Sequence, residues 1–182
     1  MYLVVDFEAT CDDAGAVPRD EMEIIEVGAC LVRDDLVTPV AEFQSFVRPV
    51  RHPQLTPFCT RLTTIRQSEV STAPSFPEVA ERWHDWVTQN AEQPIFCSWG
   101  DYDRRQLQQD VAFHDVANPL PFGHINLKRK FSEAQSLRKK LGMAQALRHV
   151  GLPLGGTHHR AIDDARNIAA LLPFIFSRGP NS

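Results

Sequence analysis

Residues 2–8 read Tyr2-Leu3-Val4-Val5-Asp6-Phe7-Glu8, an apolar opening that runs straight into two carboxylates. An apolar, partly β-branched run of this length describes a buried strand. The period of two along a strand puts Asp6 and Glu8 on the same side of its end. Such a pair is either a solvated strand end or part of a metal site. In the second case Mg²⁺ or Mn²⁺ turns like-charge repulsion into oxygen ligation.

Outward from this strand, a polar turn region at Asp12–Glu21 leads to a second strand signal at Glu23–Arg33. Val40–Val47 alternates like a half-buried strand, and Pro49 and Pro53 end it. Short connections between these three strands predict an antiparallel meander. The period then changes: Phe76, Val79, Ala80, Trp83 and Val87 recur at helical spacing behind Ser75 as N-cap. Pro94–Ser98 reads as a short buried strand, and Tyr102–Phe113 as a helix with Leu107 and Val111 on one face. Further helices are predicted at Asn126–Lys140 and Met143–Val150, separated at Gly142, and at Arg160–Phe176 with Pro173 near its end. Strands first and strand-helix alternation later predict one α/β domain with a mixed sheet, over residues 1–178, with 179–182 a frayed tail.

A chain of 182 residues with 43% hydrophobic content suits one domain with a sizeable core. The net charge of −4 argues against a surface coated in basic residues for non-specific nucleic-acid binding, although carboxylates gathered around cations also count as negative in that sum. Cys11, Cys30, Cys59 and Cys97 lie far apart with no C-x-x-C pair. Together with the lack of a signal-like start or of an apolar run of roughly 20 residues, this predicts a reduced, cytoplasmic protein.

Two further acidic segments stand out. Thr157-His158-His159-Arg160-Ala161-Ile162-Asp163-Asp164-Ala165 sets imidazoles before a helix and carboxylates in its first turns, as either a catalytic segment or ordinary N-terminal capping would. Ser98-Trp99-Gly100-Asp101-Tyr102-Asp103 follows a strand and opens a helix, where Asp101 fits an N-cap.

Taken in order, the three segments resemble the DEDDh exonucleases, whose motifs are D-x-E, an aromatic followed by Asp, and H-x-A-x-x-D. Here these fall on Asp6-Phe7-Glu8, on Tyr102-Asp103 and on His159-Arg160-Ala161-Ile162-Asp163-Asp164. His158 and Asp163 have the same spacing, but only the later register puts Ala161 two residues after the histidine. DFEATC at 6–11, EIIEVG at 23–28, LTPFCTRLTTI at 55–65, SWGDYD at 98–103 and NLK at 126–128 resemble the Eri-type branch, which includes the histone-mRNA 3′ exonuclease. The resemblance implies an RNase H-like fold: a mixed five-stranded sheet flanked by helices.

It also implies a 3′-5′ exonuclease holding two Mg²⁺ or Mn²⁺ ions, a pair that in such chemistry sits about 3.5–4 Å apart. Asp6 would bridge both ions, Glu8 and Asp164 would complete one site, and Asp103 would support the other. Glu8 and His159 would be catalytic, with neutral His159 accepting the proton of the attacking water. Phe58 and Tyr102 would stack on terminal nucleotides, or else serve as core aromatics. Lys128-Arg129-Lys130 and Arg138-Lys139-Lys140 suit either a phosphate track or a solvated face. RNA is the expected substrate, with a DNA exonuclease of repair or proofreading type and an inactive RNA-binding scaffold as alternatives. Since the chain begins at the catalytic strand, it is expected to lack the extra nucleic-acid-binding module of longer Eri-type proteins.

Overall fold

The computed structural model describes residues 1–35 and 39–176. The expected domain end at 178 and the tail lie outside the described residues. Strands β1 (Tyr2–Ala9), β2 (Ile24–Val32) and β3 (Pro39–Phe46) form the meander expected from the sequence, with β1 antiparallel to β2 and β2 to β3. On the other side of β1, β4 (Ile95–Ser98) and β5 (His124–Asn126) add in parallel, giving one mixed sheet of order β3-β2-β1-β4-β5.

Helices cover both faces, which is why all nine residues of β2 are buried. Odd positions of β1 (Leu3, Val5, Phe7) pack with β2 residues Val27, Ala29 and Leu31 under α3 (Phe76–Asn90), whose Trp83 meets Phe7 edge-on at 5.7 Å. Val4 and Cys30 pack on the opposite face with α5 (Leu127–Ala134), α6 (Met143–His149) and α7 (Ala161–Ala169). Asp6 and Glu8 belong to this second face by the same alternation. Helix α7 lies so close to β2 that a Cβ on Gly28 would come within 2.2 Å of the Ala161 carbonyl carbon. Any larger residue at 28 would push the start of α7 off the sheet.

Four differences separate the structure from the sequence reading. The helix expected over 126–140 is instead the end of β5 followed by α5, which stops at Ala134. Ser136 takes a left-handed conformation (φ 52), and an irregular segment follows to Gly142. The helix expected over 160–176 is split, because Pro173 cannot continue the hydrogen-bonding of α7 and starts α8 (Pro173–Phe176). Two short helices were not anticipated: α1 (Pro57–Thr63), capped by Thr56 Oγ1 accepting from Cys59 N at 3.0 Å, and α2 (Gln67–Ser71). The three-residue β5 was located only as part of the five-strand total that the resemblance implied. The remaining helix, α4 (Tyr102–His114), begins and ends within a residue of its expected bounds.

Candidate active site

The C-terminal end of β1 and the segment following the parallel β4 meet the first turn of α7. Open α/β sheets place ligands at such strand ends. A register shift between Glu8 and Ala9 marks a bulge at the site itself. One carboxylate oxygen each from Asp6, Glu8 and Asp164 lies within 4.8 Å of the others. Glu8 and Asp164 are buried and Asp6 is partly so. Asp103, in the first turn of α4, is buried alongside and accepts the Phe7 backbone N–H at 3.2 Å. Its carboxylate is therefore turned toward β1 and stands beside the three-oxygen cluster.

The electrostatics match the crowding. Burial, then the charge of Asp103, then that of Glu8, holds the Asp6 carboxyl well above the usual range. Glu8 is pushed up to about 9, first by burial and next by Asp164. Asp103 reaches about 6 through burial, opposed by its hydrogen bonds. Burial also raises Asp164, with His158 pulling the other way. Four unneutralised carboxyls in a poorly solvated place form an unfavourable arrangement that a divalent cation relieves, so this donor set fits the hard, oxygen-seeking ions that the sequence suggested.

The loop before α7 is built around two capping acids. Asp163 Oδ2 accepts the Thr157 N–H at 2.9 Å and Asp164 Oδ2 the His159 N–H at 3.0 Å. The capping alternative thus describes Asp163 fully and Asp164 in part, while only Asp164 reaches the carboxylate cluster. His159 adopts φ 64, an uncommon conformation for a non-glycine residue. This turn brings its Nδ1 to 4.0 Å from Glu8 Oε1. Burial, with His158 next, keeps the His159 imidazole below its ordinary pKa. His158 instead bonds Asp164 Oδ2 through Nδ1 at 2.9 Å and stacks on His159, ring centroids 4.0 Å apart.

Tyr102 is 48% exposed at the start of α4, and its hydroxyl is driven up by burial and by the charges of Asp103 and Glu8. Phe58 lies half-buried on α1. That helix is tied to the end of β1, since Thr56 Oγ1 donates to the Cys11 carbonyl at 2.7 Å. Arg138, Lys139 and Lys140 are exposed, and the Trp99 indole N–H holds their segment by donating to the Leu141 carbonyl at 3.1 Å. Lys130 and Arg129 both approach Glu133, at 3.3 and 3.9 Å.

Two supporting residues escaped the sequence reading. Glu26, fully buried, accepts from Arg160 Nε at 3.1 Å, Arg160 Nη2 at 3.1 Å and the Ala161 N–H at 3.1 Å, anchoring the residue after His159 and the start of α7. The signal was available: a charged residue inside an otherwise apolar strand requires a partner.

A mixed sheet with an acidic cluster at its parallel strand ends, flanked by an imidazole, defines the class of DEDDh-type nucleases. Comparison with known proteins agrees, for residues 3–172 match the family described as "RNase_T: Exonuclease". The chain belongs to the RNase T-like, DEDDh exonuclease family. It is 35% identical to ERI1 exoribonuclease 3 of Mus musculus, across 98% of this chain and 54% of that protein. It is 30% identical to "Probable 3′-5′ exonuclease KapD" of Bacillus subtilis, across 95% and 83% of the two chains. The chain therefore spans about half the length of the first relative and most of the second. Among solved structures, the nuclease domain of 3′hExo bound to rAMP superimposes with a TM-score of 0.87 at 28% identity, covering 94% of this chain and 88% of that one.

Proposed function

We propose that this protein is a 3′-5′ exoribonuclease that releases nucleoside 5′-monophosphates from single-stranded or 3′-overhanging RNA. The observation that carries this reading is the buried cluster of Asp6, Glu8 and Asp164 with His159 at its edge. Asp6, Glu8, Asp103 and Asp164 would hold two Mg²⁺ or Mn²⁺ ions. When bound, these supply positive charge to the phosphoryl oxygens and acidify the attacking water. His159, kept neutral by its partly buried position, accepts that water's proton on a ring nitrogen. Glu8, 4.0 Å from His159, would ligate from directly beside the imidazole. Tyr102 and Phe58 offer flat faces for the terminal bases, a contact that needs no sequence code. The exposed Arg138–Lys140, whose segment Trp99 holds through Leu141, offers positive charge to the backbone upstream.

RNA is favoured over DNA because relatives across most of this chain are named exoribonucleases. No helix among the described residues is long and apolar enough to cross a membrane. The test supplies matched single-stranded RNA and DNA with Mg²⁺ or Mn²⁺, with either end blocked. RNA with a free 3′ end is consumed fastest and a blocked 3′ end protects it. Faster loss of DNA moves the protein to the repair or proofreading class, and fragments released from circular RNA would indicate an endonuclease.

A further inference from the structure

We propose that Asn167 is a positioning residue for His159, holding the segment before α7 so that the imidazole stays beside Glu8. The hold on the segment stands on its own; only its effect on turnover rests on reading His159 as the proton acceptor of an exonuclease.

Residues 153–159 belong to no helix or strand, so their backbone polar groups need other partners. Helix α7 supplies them from one face. Asp163, Asp164 and Asn167 follow the spacing of three and four that stacks side chains along a helix. Asn167 Oδ1 accepts the Gly155 N–H at 2.9 Å, Asp163 Oδ2 the Thr157 N–H at 2.9 Å and Asp164 Oδ2 the His159 N–H at 3.0 Å. Every second residue is thus tied down. The segment runs antiparallel along α7 toward its start and ends in the left-handed turn at His159.

The three holds are not equal. Asp164 also belongs to the carboxylate cluster, where a cation would draw on the same oxygens that hold His159. The Asp163 side chain is 22% exposed and shares its carboxylate with Arg166 at 3.1 Å, so water can stand in for it. Asn167 is 5% exposed and makes a second bond, Nδ2 donating to the Gly155 carbonyl at 2.9 Å. Two opposed bonds to one residue fix both the position and the direction of the backbone there. Removing the amide would leave a buried donor and a buried acceptor unpaired. Asn167 acts on the imidazole through the backbone from Gly155 to His159, and is not one of the carboxylates assigned to the cations. Small displacements matter at a proton acceptor, since a misplacement of about 1 Å costs on the order of 10²-fold in rate.

Asn167→Ala, with the similarly shaped Asn167→Leu beside it, tests the proposal. Hydrogen exchange of residues 153–159 is expected to quicken about tenfold or more in both variants while the core of α7 stays protected. The exonuclease rate at saturating Mg²⁺ is expected to fall about 10–100-fold. Calorimetric Mn²⁺ affinity is expected to stay within about threefold of wild type, since every acidic ligand remains and lies apart from the change. A merely structural role would weaken the enzyme whatever stands at 159. The deciding measurement therefore repeats the change in His159→Ala, where a further loss of less than about twofold is expected. An equal loss in both backgrounds, a Mn²⁺ affinity that falls in step with the rate, unchanged exchange at 153–159, or failure of both variants to fold would overturn the proposal. Faster exchange at 153–159 in a protein whose wild type cleaves no nucleic acid would leave the hold on the segment standing and sink only the exonuclease reading.

Discussion

Glu8 and Glu26 sit directly opposite each other on β1 and β2, both buried, and meet opposite fates. Glu26 is saturated with donors: Gln44 Nε2 at 2.6 Å, two guanidinium nitrogens of Arg160 and the Ala161 N–H. Glu8 has His159 at 4.0 Å and otherwise faces Asp164, Asp103 and Glu26, which with burial lift its carboxyl to about 9. Like charges directly across a ladder are unfavourable, so a pair of this kind persists only with compensation. At Glu26 the chain supplies that compensation itself. At Glu8 it supplies none, which on the proposed reading leaves the compensation to a cation.

Removing the uncompensated side should have the largest effect. Asp6→Ala or Asp164→Ala is expected to leave no detectable turnover while the protein stays folded, since each change deletes a ligand and relieves repulsion. Asp163→Ala, which loses only the Thr157 cap and the Arg166 contact at 3.1 Å, should remain active. An inactive Asp163→Ala beside a normal Asp164→Ala would show that the wrong carboxylate has been assigned to the cluster.

Next in size is His159→Ala, with an expected rate loss on the order of 10²–10⁴ at saturating metal. His158→Ala should lose tenfold or less. Since burial and His158 depress the His159 pKa, its neutral form appears with rising pH through a midpoint below about 6.5. The rate should follow that rise, and His159→Ala should abolish it. A wild-type midpoint above 7, or a larger loss in His158→Ala, would take the proton-accepting role away from His159.

On the compensated side the effect is on folding. Arg160→Ala strands the fully buried Glu26 and is expected to cost about 3–5 kcal/mol by denaturant unfolding. Arg160→Lys, which keeps the charge but loses the two-pronged geometry, should recover part of it. A loss below 1 kcal/mol would show that Gln44 and the Ala161 N–H suffice for Glu26.

This division was only half legible in the sequence. Asp6, Glu8, Asp103, His159 and Asp164 were readable because their motifs are local and their order along the chain is diagnostic. The meander, α3, α4 and α6 were readable because each carries a clear period or clear end signals. Glu26 was missed as a partner because Arg160 lies 134 residues away, a separation no local pattern reports. Helix α1 had its signals, Thr56 as N-cap and Pro57 at the first position, but seven residues are too few for a period to show. Leu137, inside the stretch expected to be helical, and Leu141, just beyond it, pack on the core from irregular backbone after Ser136. Hydrophobic spacing reports burial, and burial does not require a helix.

The central claim, that the acids around Glu8 are left uncompensated for a cation, is tested most directly by melting metal-free wild type and Asp6→Asn at pH 5 and pH 8, with and without Mn²⁺. The folded-state pKa of Asp6 is raised, so the folded protein binds more protons than the unfolded one over this range. Its contribution to stability is therefore lost as pH rises from near 4 toward the raised value. Without metal, Asp6→Asn should melt above wild type, by more at pH 8 than at pH 5. Mn²⁺ at pH 8 should then raise the wild type and leave the variant nearly unchanged. Equal melting of the two proteins at both pH values, with no shift on adding Mn²⁺, would contradict the account.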